Sequence, residues 1–242
     1  MKPPVRFNIK VKPQREGPEH GDDSNAQYAA LGLRACHEAG ILLPKESVER
    51  ARKWWVEFQE PEDPKKKESR DVATGAGIGT PRGWGYLSDG KMPAPGYYGS
   101  TGSMTAGAVG AVCIYDFILG LDWKRDPSVR DGMAWMAEHF TVKGNPGKET
   151  PPVPRADWHY YYLYALERVG MLVPTQHIGR ADWYLEGAKH LVEAQQPDGS
   201  WNQSTYHNSP AVALDTCYAI LFLRRVTRPL QDVATVDPFR KP

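Results

Sequence analysis

The side chains of this chain most able to do chemistry are Asp215, the pair Asp22 and Asp23, and a run of aromatic residues at 158–162. Asp215 stands one turn into the apolar helical pattern ALDTCYAILFL. A carboxylate in such surroundings needs a partner, because burying it alone is costly. A hydrogen bond to a neighbouring helix terminus is the simpler use for it, and acid catalysis the sharper one. Asp22-Asp23 is the one acidic pair near an apolar helix, and capping of that helix start explains it more simply than acid chemistry does. Trp158, His159, Tyr160, Tyr161 and Tyr162 bring five rings to the start of another helix. Such a cluster can line a pocket for an apolar molecule or a sugar, or fill space between helices. The run GAGIG (Gly75 to Gly79) looks like a phosphate cradle, but no strand pattern precedes it and no helix pattern follows closely.

These residues are positioned by a repeated helical unit, most legible from Leu185 to Trp201 (LEGAKHLVEAQQPDGSW). Tyr184, Ala188, Leu191, Val192 and Gln195 recur at steps of three and four, which predicts one helix face. Pro197, Asp198 and Gly199 stop the helix with turn chemistry. Trp201 then arrives close enough to fold over the helix end, where Gln195 can offer its amide to unpaired backbone groups. A second, almost wholly apolar helical pattern follows from Ser209 to Val226, with Pro210 expected at its first position.

The unit has copies upstream, as a periodicity search should ask first. AGILLP (Ala39 to Pro44) matches VGMLVP (Val169 to Pro174), and ERARKWWVEFQ (Glu49 to Gln59) matches LEGAKHLVEAQ, at separations of 130 to 136 residues. An intermediate copy reads RDGMAWMAEHF (Arg130 to Phe140), whose Gly132 and Glu138 match Gly187 and Glu193. The pattern predicts four apolar "inner" helices near 24–38, 103–119, 157–170 and 210–226. Three amphipathic "outer" helices are predicted near 46–59, 127–140 and 178–196. Asp23 or Ser24 is the expected cap of the first inner helix, with Tyr28, Leu31, Ala35 and Cys36 on one face. Ser47 should start the first outer helix, burying Val48, Ala51, Trp55 and Phe58. Aligning the copies on their tyrosines makes Asn25, Met104, Trp158 and Asp215 equivalent, one step before Ala26, Thr105, His159 and Thr216. Gln27, Tyr160 and Cys217 then share a further position. These residues are expected to ring the mouth of a cavity at the inner-helix N-termini, whose pooled partial charge favours an anionic group.

At 242 residues the chain suffices for one large domain or two small ones, and the unbroken alternation of helix types argues for one. Residues 1–22 read as an extended lead-in, 23–227 as the repeat domain with a Gly/Pro-rich insertion at 60–102, and 228–242 as an extended tail. A net charge of +1 with both signs interspersed gives no reason to expect nucleic acid or an anionic membrane. No apolar run approaching 18 residues is evident, so no membrane span is expected. The N-terminus is too polar and proline-rich for a signal peptide, which leaves the cytoplasm as the default expectation. Cys36, Cys113 and Cys217 each lie in an apolar helical pattern, so buried, reduced thiols are expected.

QQPDGSW (Gln195 to Trp201) resembles the QW motif of the squalene and terpene cyclases. The following ALDTCYAILFLRR resembles the inner helix that comes after it in the terpenoid cyclase and protein prenyltransferase superfamily. The resemblance covers nearly all of 22–227, and the nearest kind of relative is the bacterial prenyltransferase/squalene-oxidase-repeat protein. It implies an all-α fold, an α/α toroid of concentric helix rings around an apolar cavity. This chain supplies about three and a half helical hairpins where a complete ring has five to seven. A half ring or open horseshoe is therefore expected, completed by a second copy of the chain or by another part of a parent protein. Gln195, Gly199, Trp201, Gln59 and Trp84 are the expected structural motif. Phe140 replaces the glutamine in the middle copy, and Trp84, in RGWGY, sits some twenty residues later than the motif requires.

The resemblance implies two chemistries, and the residues fit neither closely. Class II cyclases use an acidic DxDD-type cluster, which this chain lacks, leaving Asp215 and Asp23 as acid candidates. Protein prenyltransferases hold zinc through Asp, Cys and His. Asp215 and Cys217, with His159 or His207, have the right types, but positions i and i+2 of a helix point about 200° apart. Neither a metal nor another cofactor is therefore expected. The leading expectation is a repeat domain binding an apolar ligand or a protein partner on its concave face, through Asn25, Gln27, Trp158, His159, Tyr160, Tyr161 and Thr216. The alternative is an isoprenoid-metabolism enzyme, cyclase-like or prenyl-transferring, with an inner-helix Asp as acid. A carbohydrate-active α/α toroid is the third reading.

Overall fold

The computed structural model describes residues 21–65, 67–70, 77–88, 99–147, 154–206 and 209–230. Seven α-helices occupy these residues, so the chain is all-α. They are α1 (Asp23–Glu38), α2 (Lys45–Glu57), α3 (Gly102–Leu119), α4 (Pro127–Glu138), α5 (His159–Leu172), α6 (Trp183–Ala194) and α7 (Val212–Leu223). Antiparallel ladders of two or three residues pin the connections, among them His177–Ile178 with Ala181–Asp182 and Thr205–Tyr206 with Ser209–Pro210. The lead-in at 1–20, most of the tail, His207, and Gly75 and Ala76 of the glycine-rich run lie outside the described residues.

The odd-numbered helices form a row in which α1 packs on α3, α3 on α5 and α5 on α7. The amphipathic helices pack onto that row, α2 and α4 against α3, and α6 against α5 and α7. With neighbours on so many sides, α3 is buried over nearly its whole surface. Its 18 residues carry a single acidic group, Asp116, so by length and composition α3 is able to cross a membrane. The expectation that no segment reaches that length is corrected here, although α3 is 89% buried against the other helices.

Close approach in this row is made possible by small residues. A Cβ on Gly107 of α3 would lie 2.6 Å from the Gln27 amide of α1, one on Gly170 of α5 would lie 2.3 Å from the Trp183 ring, and one on Gly187 of α6 would lie 2.3 Å from Phe222. Gly132, matched to Gly187 by the repeat, meets Val109 and the Trp84 ring in the same way. Between α2, α3 and the start of α4, Arg52 pairs with both Asp116 and Asp126. Burial pushes the Asp116 carboxyl up to about 6 although Arg52 pulls it down. Asp126 also caps α4, accepting from the amides of Ser128 and Val129 at 2.8 and 3.1 Å.

Several expected boundaries and faces differ. Asp22, not Asp23 or Ser24, caps α1, accepting from the Asn25 amide at 3.0 Å. Helix α2 begins at Lys45, two residues before Ser47, because Pro44 fixes the entering backbone. Ser209-Pro210 does not start α7. It closes a ladder with Thr205–Tyr206, and the helix begins at Val212. The buried face of α1 is Asp23, Gln27, Ala30 and Arg34 rather than the one containing Tyr28. On α6, Val192 is 67% exposed while Trp183, Gly187, Leu191 and Ala194 are buried. Among the thiols, all free, Cys113 is buried, Cys36 half-buried and Cys217 exposed, so burial of all three is corrected. Helix α7 has apolar residues on its outward sides as well as its buried one and is flanked on few, which leaves Cys217 and several of its hydrophobic residues facing solvent.

Two glycines separate packing from helix propensity. Gly187→Ala is expected to lower the unfolding free energy by about 1–3 kcal/mol in urea titrations, since the buried Phe222 ring, stacked on Tyr184 and edge-on to Trp183, must shift to admit the new methyl. Gly32 has no atom within 4 Å of a built Cβ, so Gly32→Ala should instead raise it by roughly 0.5–1 kcal/mol.

Candidate functional site

The Gln/Trp seam is built twice. At the end of α6, the Gln195 amide donates to the Gly199 carbonyl at 3.0 Å, closing a turn in which Gly199 adopts φ 85°. The Trp201 indole N–H donates to the Leu191 carbonyl at 2.8 Å, and its backbone N–H to the Thr216 hydroxyl at 3.2 Å. At the end of α2, the Trp84 indole donates to the Trp55 carbonyl at 2.8 Å, and its backbone N–H to the Thr105 hydroxyl at 3.1 Å. Leu191 lies four residues before Gln195, and Trp55 four before Gln59. Each indole therefore satisfies a late carbonyl of α2 or α6, and the same tryptophan's backbone ties that helix to the threonine of the helix that follows, α3 or α7. The first copy does this across 25 residues and the last across six. Gln59, with a longer connection to hold, donates to the carbonyls of Arg82 and Ser128 at 3.2 and 3.1 Å.

The middle copy substitutes histidines. The Nδ1 atom of His139 bonds the Trp135 carbonyl at 2.9 Å while its ring stacks on the Trp135 indole. His159 bonds the Val142 carbonyl through Nε2 at 2.8 Å and lies 5.1 Å from the His190 ring. Burial pulls His159 down to about 4, the Val142 hydrogen bond opposing it, and burial lowers His190 as well.

Residues expected around one cavity mouth separate into three places. Asp215, fully buried, accepts from the backbone N–H groups of Gln203 and Ser204 at 2.9 and 2.8 Å, so it holds the loop that follows Trp201. Thr216 and His159 belong to the seams, and the Tyr160 amide donates to the Ser204 hydroxyl at 3.0 Å, facing that same loop. Asn25 lies at the exposed start of α1, where its side chain donates to Asp22 at 2.9 Å. Burial would raise the Asp22 carboxyl, but hydrogen bonds from Ser24, Asn25 and Tyr86 outweigh it and leave it below the ordinary range. Asp23 is buried in the first turn of α1. Asp215 points inward and Cys217 outward on α7, so the two do not converge.

Gln27 and Tyr161 do come together, around a residue that the sequence reading missed. The Gln27 amide donates to the Tyr161 hydroxyl and accepts from the Arg168 guanidinium, all three side chains being buried. Arg168 lies 4.2 Å from the centre of the Tyr164 ring and 5.6 Å from that of Tyr28. Tyr218 of α7 stacks on Tyr164 and meets Tyr161 edge-on, with ring centres 5.6 and 5.8 Å apart. Trp158, in the left-handed conformation at φ 58°, closes the cluster with its ring 6.0 Å from Tyr161. Tyrosines of α1, α5 and α7 thus surround one guanidinium. The sequence signal was present: Arg168 follows Tyr161 by seven residues, two turns along one face of an apolar helix.

Comparison of the chain with protein-family models, with curated protein sequences and with solved structures gives no match.

Replacing the seam indoles tests their equivalence. Trp84→Phe and Trp201→Phe should each cost about 1–3 kcal/mol in denaturant titrations, since each strands a helix-end carbonyl. A cost at one seam and none at the other would break the correspondence. His159 generates a pH dependence. Its folded value lies below its ordinary 6.5, so its stabilising contribution is complete above about 6.5 and is lost as pH falls towards 4. The wild-type unfolding free energy should fall by up to roughly 3 kcal/mol more than that of His159→Asn across that window.

Proposed function

We propose that this chain is a segment of an α/α toroid of the terpenoid cyclase and prenyltransferase type. In this reading it serves as a binding domain, taking an apolar ligand or a protein partner on the face where α1, α5 and α7 meet. The observation that carries the reading is the recurrence of one hydrogen-bond pattern at two seams of very different loop length. Indole to late outer-helix carbonyl, and tryptophan amide to inner-helix threonine, occur in both. Such a pattern belongs to a repeat architecture, in which each unit buries its apolar side against the next. Ligand binding is supported by the tyrosine cluster, whose members Tyr28 and Trp158 remain open to solvent. Asp215 is committed to two backbone amides, which favours a binding domain over an acid catalyst. The exposed side of α7 that carries Cys217 and Ile220 is where the array would continue, into a second copy or a further part of a parent chain.

The test is incubation with squalene and with prenyl diphosphates, products being sought by mass spectrometry, alongside equilibrium binding of dodecanol as an uncharged apolar probe. Saturable dodecanol binding, weakened in Tyr218→Ala and unaccompanied by product, is the expected result. Turnover that disappears in a folded Asp215→Asn variant would replace the binding-domain reading with that of an enzyme.

A further inference from the structure

Arg168 carries a buried positive charge that the protein leaves incompletely matched. Its residue is 3% exposed. One terminal nitrogen, Nη2, donates to the Gln27 carbonyl oxygen, while the other, Nη1, is buried without any hydrogen-bond acceptor. Among the described residues no carboxylate stands within ion-pair distance of it. The neighbouring Glu167 attracts Arg168 electrostatically but makes no ion pair with it, giving one oxygen to the Thr227 amide at 3.0 Å and the other to the Thr227 hydroxyl at 2.7 Å. Taking a charge out of water without a hydrogen-bonded counter-charge is expensive, so a bound anion would recover part of that cost.

We propose that Arg168 is an anion-binding point, and that the ligand of this face is an amphiphile bearing a single carboxylate. The assignment rests on the reading of the α1/α5/α7 face as a binding surface. The guanidinium is held in place before any ligand arrives. Gln27 fixes Nη2, is itself fixed by Tyr161, and lies against Gly107, where no side chain intervenes. One free donor nitrogen suits one carboxylate; a diphosphate would leave most of its oxygens unmatched. The Tyr161 hydroxyl already accepts from Gln27, so its proton is available to a second oxygen of the anion. Burial raises both Tyr161 and Tyr218 and so keeps these hydroxyls protonated as donors. Tyr28 covers the guanidinium from the α1 side and is 41% exposed, so an outward turn of its ring opens the path to Nη1. An apolar body then has Tyr164 and Tyr218 to lie on, and beyond them the exposed Leu214, one turn earlier on the same face of α7.

The experiment compares dodecanoate with dodecanol by calorimetry, with inorganic pyrophosphate as a third probe. Wild type and the double variant Gln27→Leu/Arg168→Met, which replaces both hydrogen-bonding partners by apolar groups, are titrated in parallel. Dodecanoate should bind wild type at least tenfold more tightly than dodecanol. The double variant should lose that advantage, keep its affinity for dodecanol and unfold at no lower a temperature. Tyr28→Ala should bind dodecanoate faster in stopped flow. Equal affinities for the two probes in wild type, or a dodecanoate advantage that survives in the double variant, would overturn the anion site while leaving the apolar surface standing. A variant that melts well below wild type would make Arg168 a structural pillar and overturn it too, as would tighter binding of pyrophosphate than of dodecanoate. Failure of both dodecyl probes to bind would remove the binding-surface reading itself.

Discussion

The buried indole N–H of a tryptophan that follows an outer helix is the bond on which the arrangement depends. An α-helix leaves its last carbonyls without intrahelical partners, and a helix end packed inside a protein cannot leave them to water. Trp84 and Trp201 each answer one of those carbonyls and, with the same residue's backbone, hold a threonine of an inner helix. Because ring and backbone of one residue reach two different helices, the spacing between the helices is fixed where the first ends and the second begins. Gly132 faces the Trp84 joint, and Gly187, against Phe222, lets α6 settle close to α7.

Once the seams set the helices, the polar residues of the odd-numbered helices divide by need. Asp215, Thr216 and His159 are used up on loop backbone and seam contacts, where each offsets the burial of a group that would otherwise lack a partner. Gln27, Tyr161 and Arg168 face one another across α1 and α5, and they form a network whose charge is not matched within it. A fully satisfied network stiffens a core, and an unpaired buried polar group within one is costly. The same helices that bring these groups together also leave the tyrosine cluster with an exposed side.

Much of the architecture could be read along the chain. The alternation of apolar and amphipathic segments located all seven helices, most ends falling within two or three residues, because periodicity records which face meets the core. The Gln195 to Trp201 motif and the membership of Trp84 in a seam were equally legible from residue type. Faces were less so. Tyr28 and Val192 fit an apolar stripe yet lie exposed, since α1 and α6 are covered by neighbours on a slightly different side. The start of α7 moved because Ser209-Pro210 found a ladder partner in Thr205–Tyr206, a pairing that helical periodicity does not record. Likewise α3 is long and apolar because it is surrounded, which local pattern cannot distinguish from a membrane span.

What the sequence determined by itself was the type and order of the helices and the chemistry of the joint from Gln195 to Trp201, because these depend on spacing over a few turns. What only the tertiary structure decided was which polar residues meet. Gln27 and Arg168 are 141 positions apart, and Tyr28 and Tyr161, whose rings meet, are 133 apart. Their meeting depends on how far each inner helix is displaced from the last, a quantity set by packing volumes and glycine contacts rather than by any local signal. For the same reason the two seams, one spanning six residues and the other 25, are unlike in sequence and alike in space.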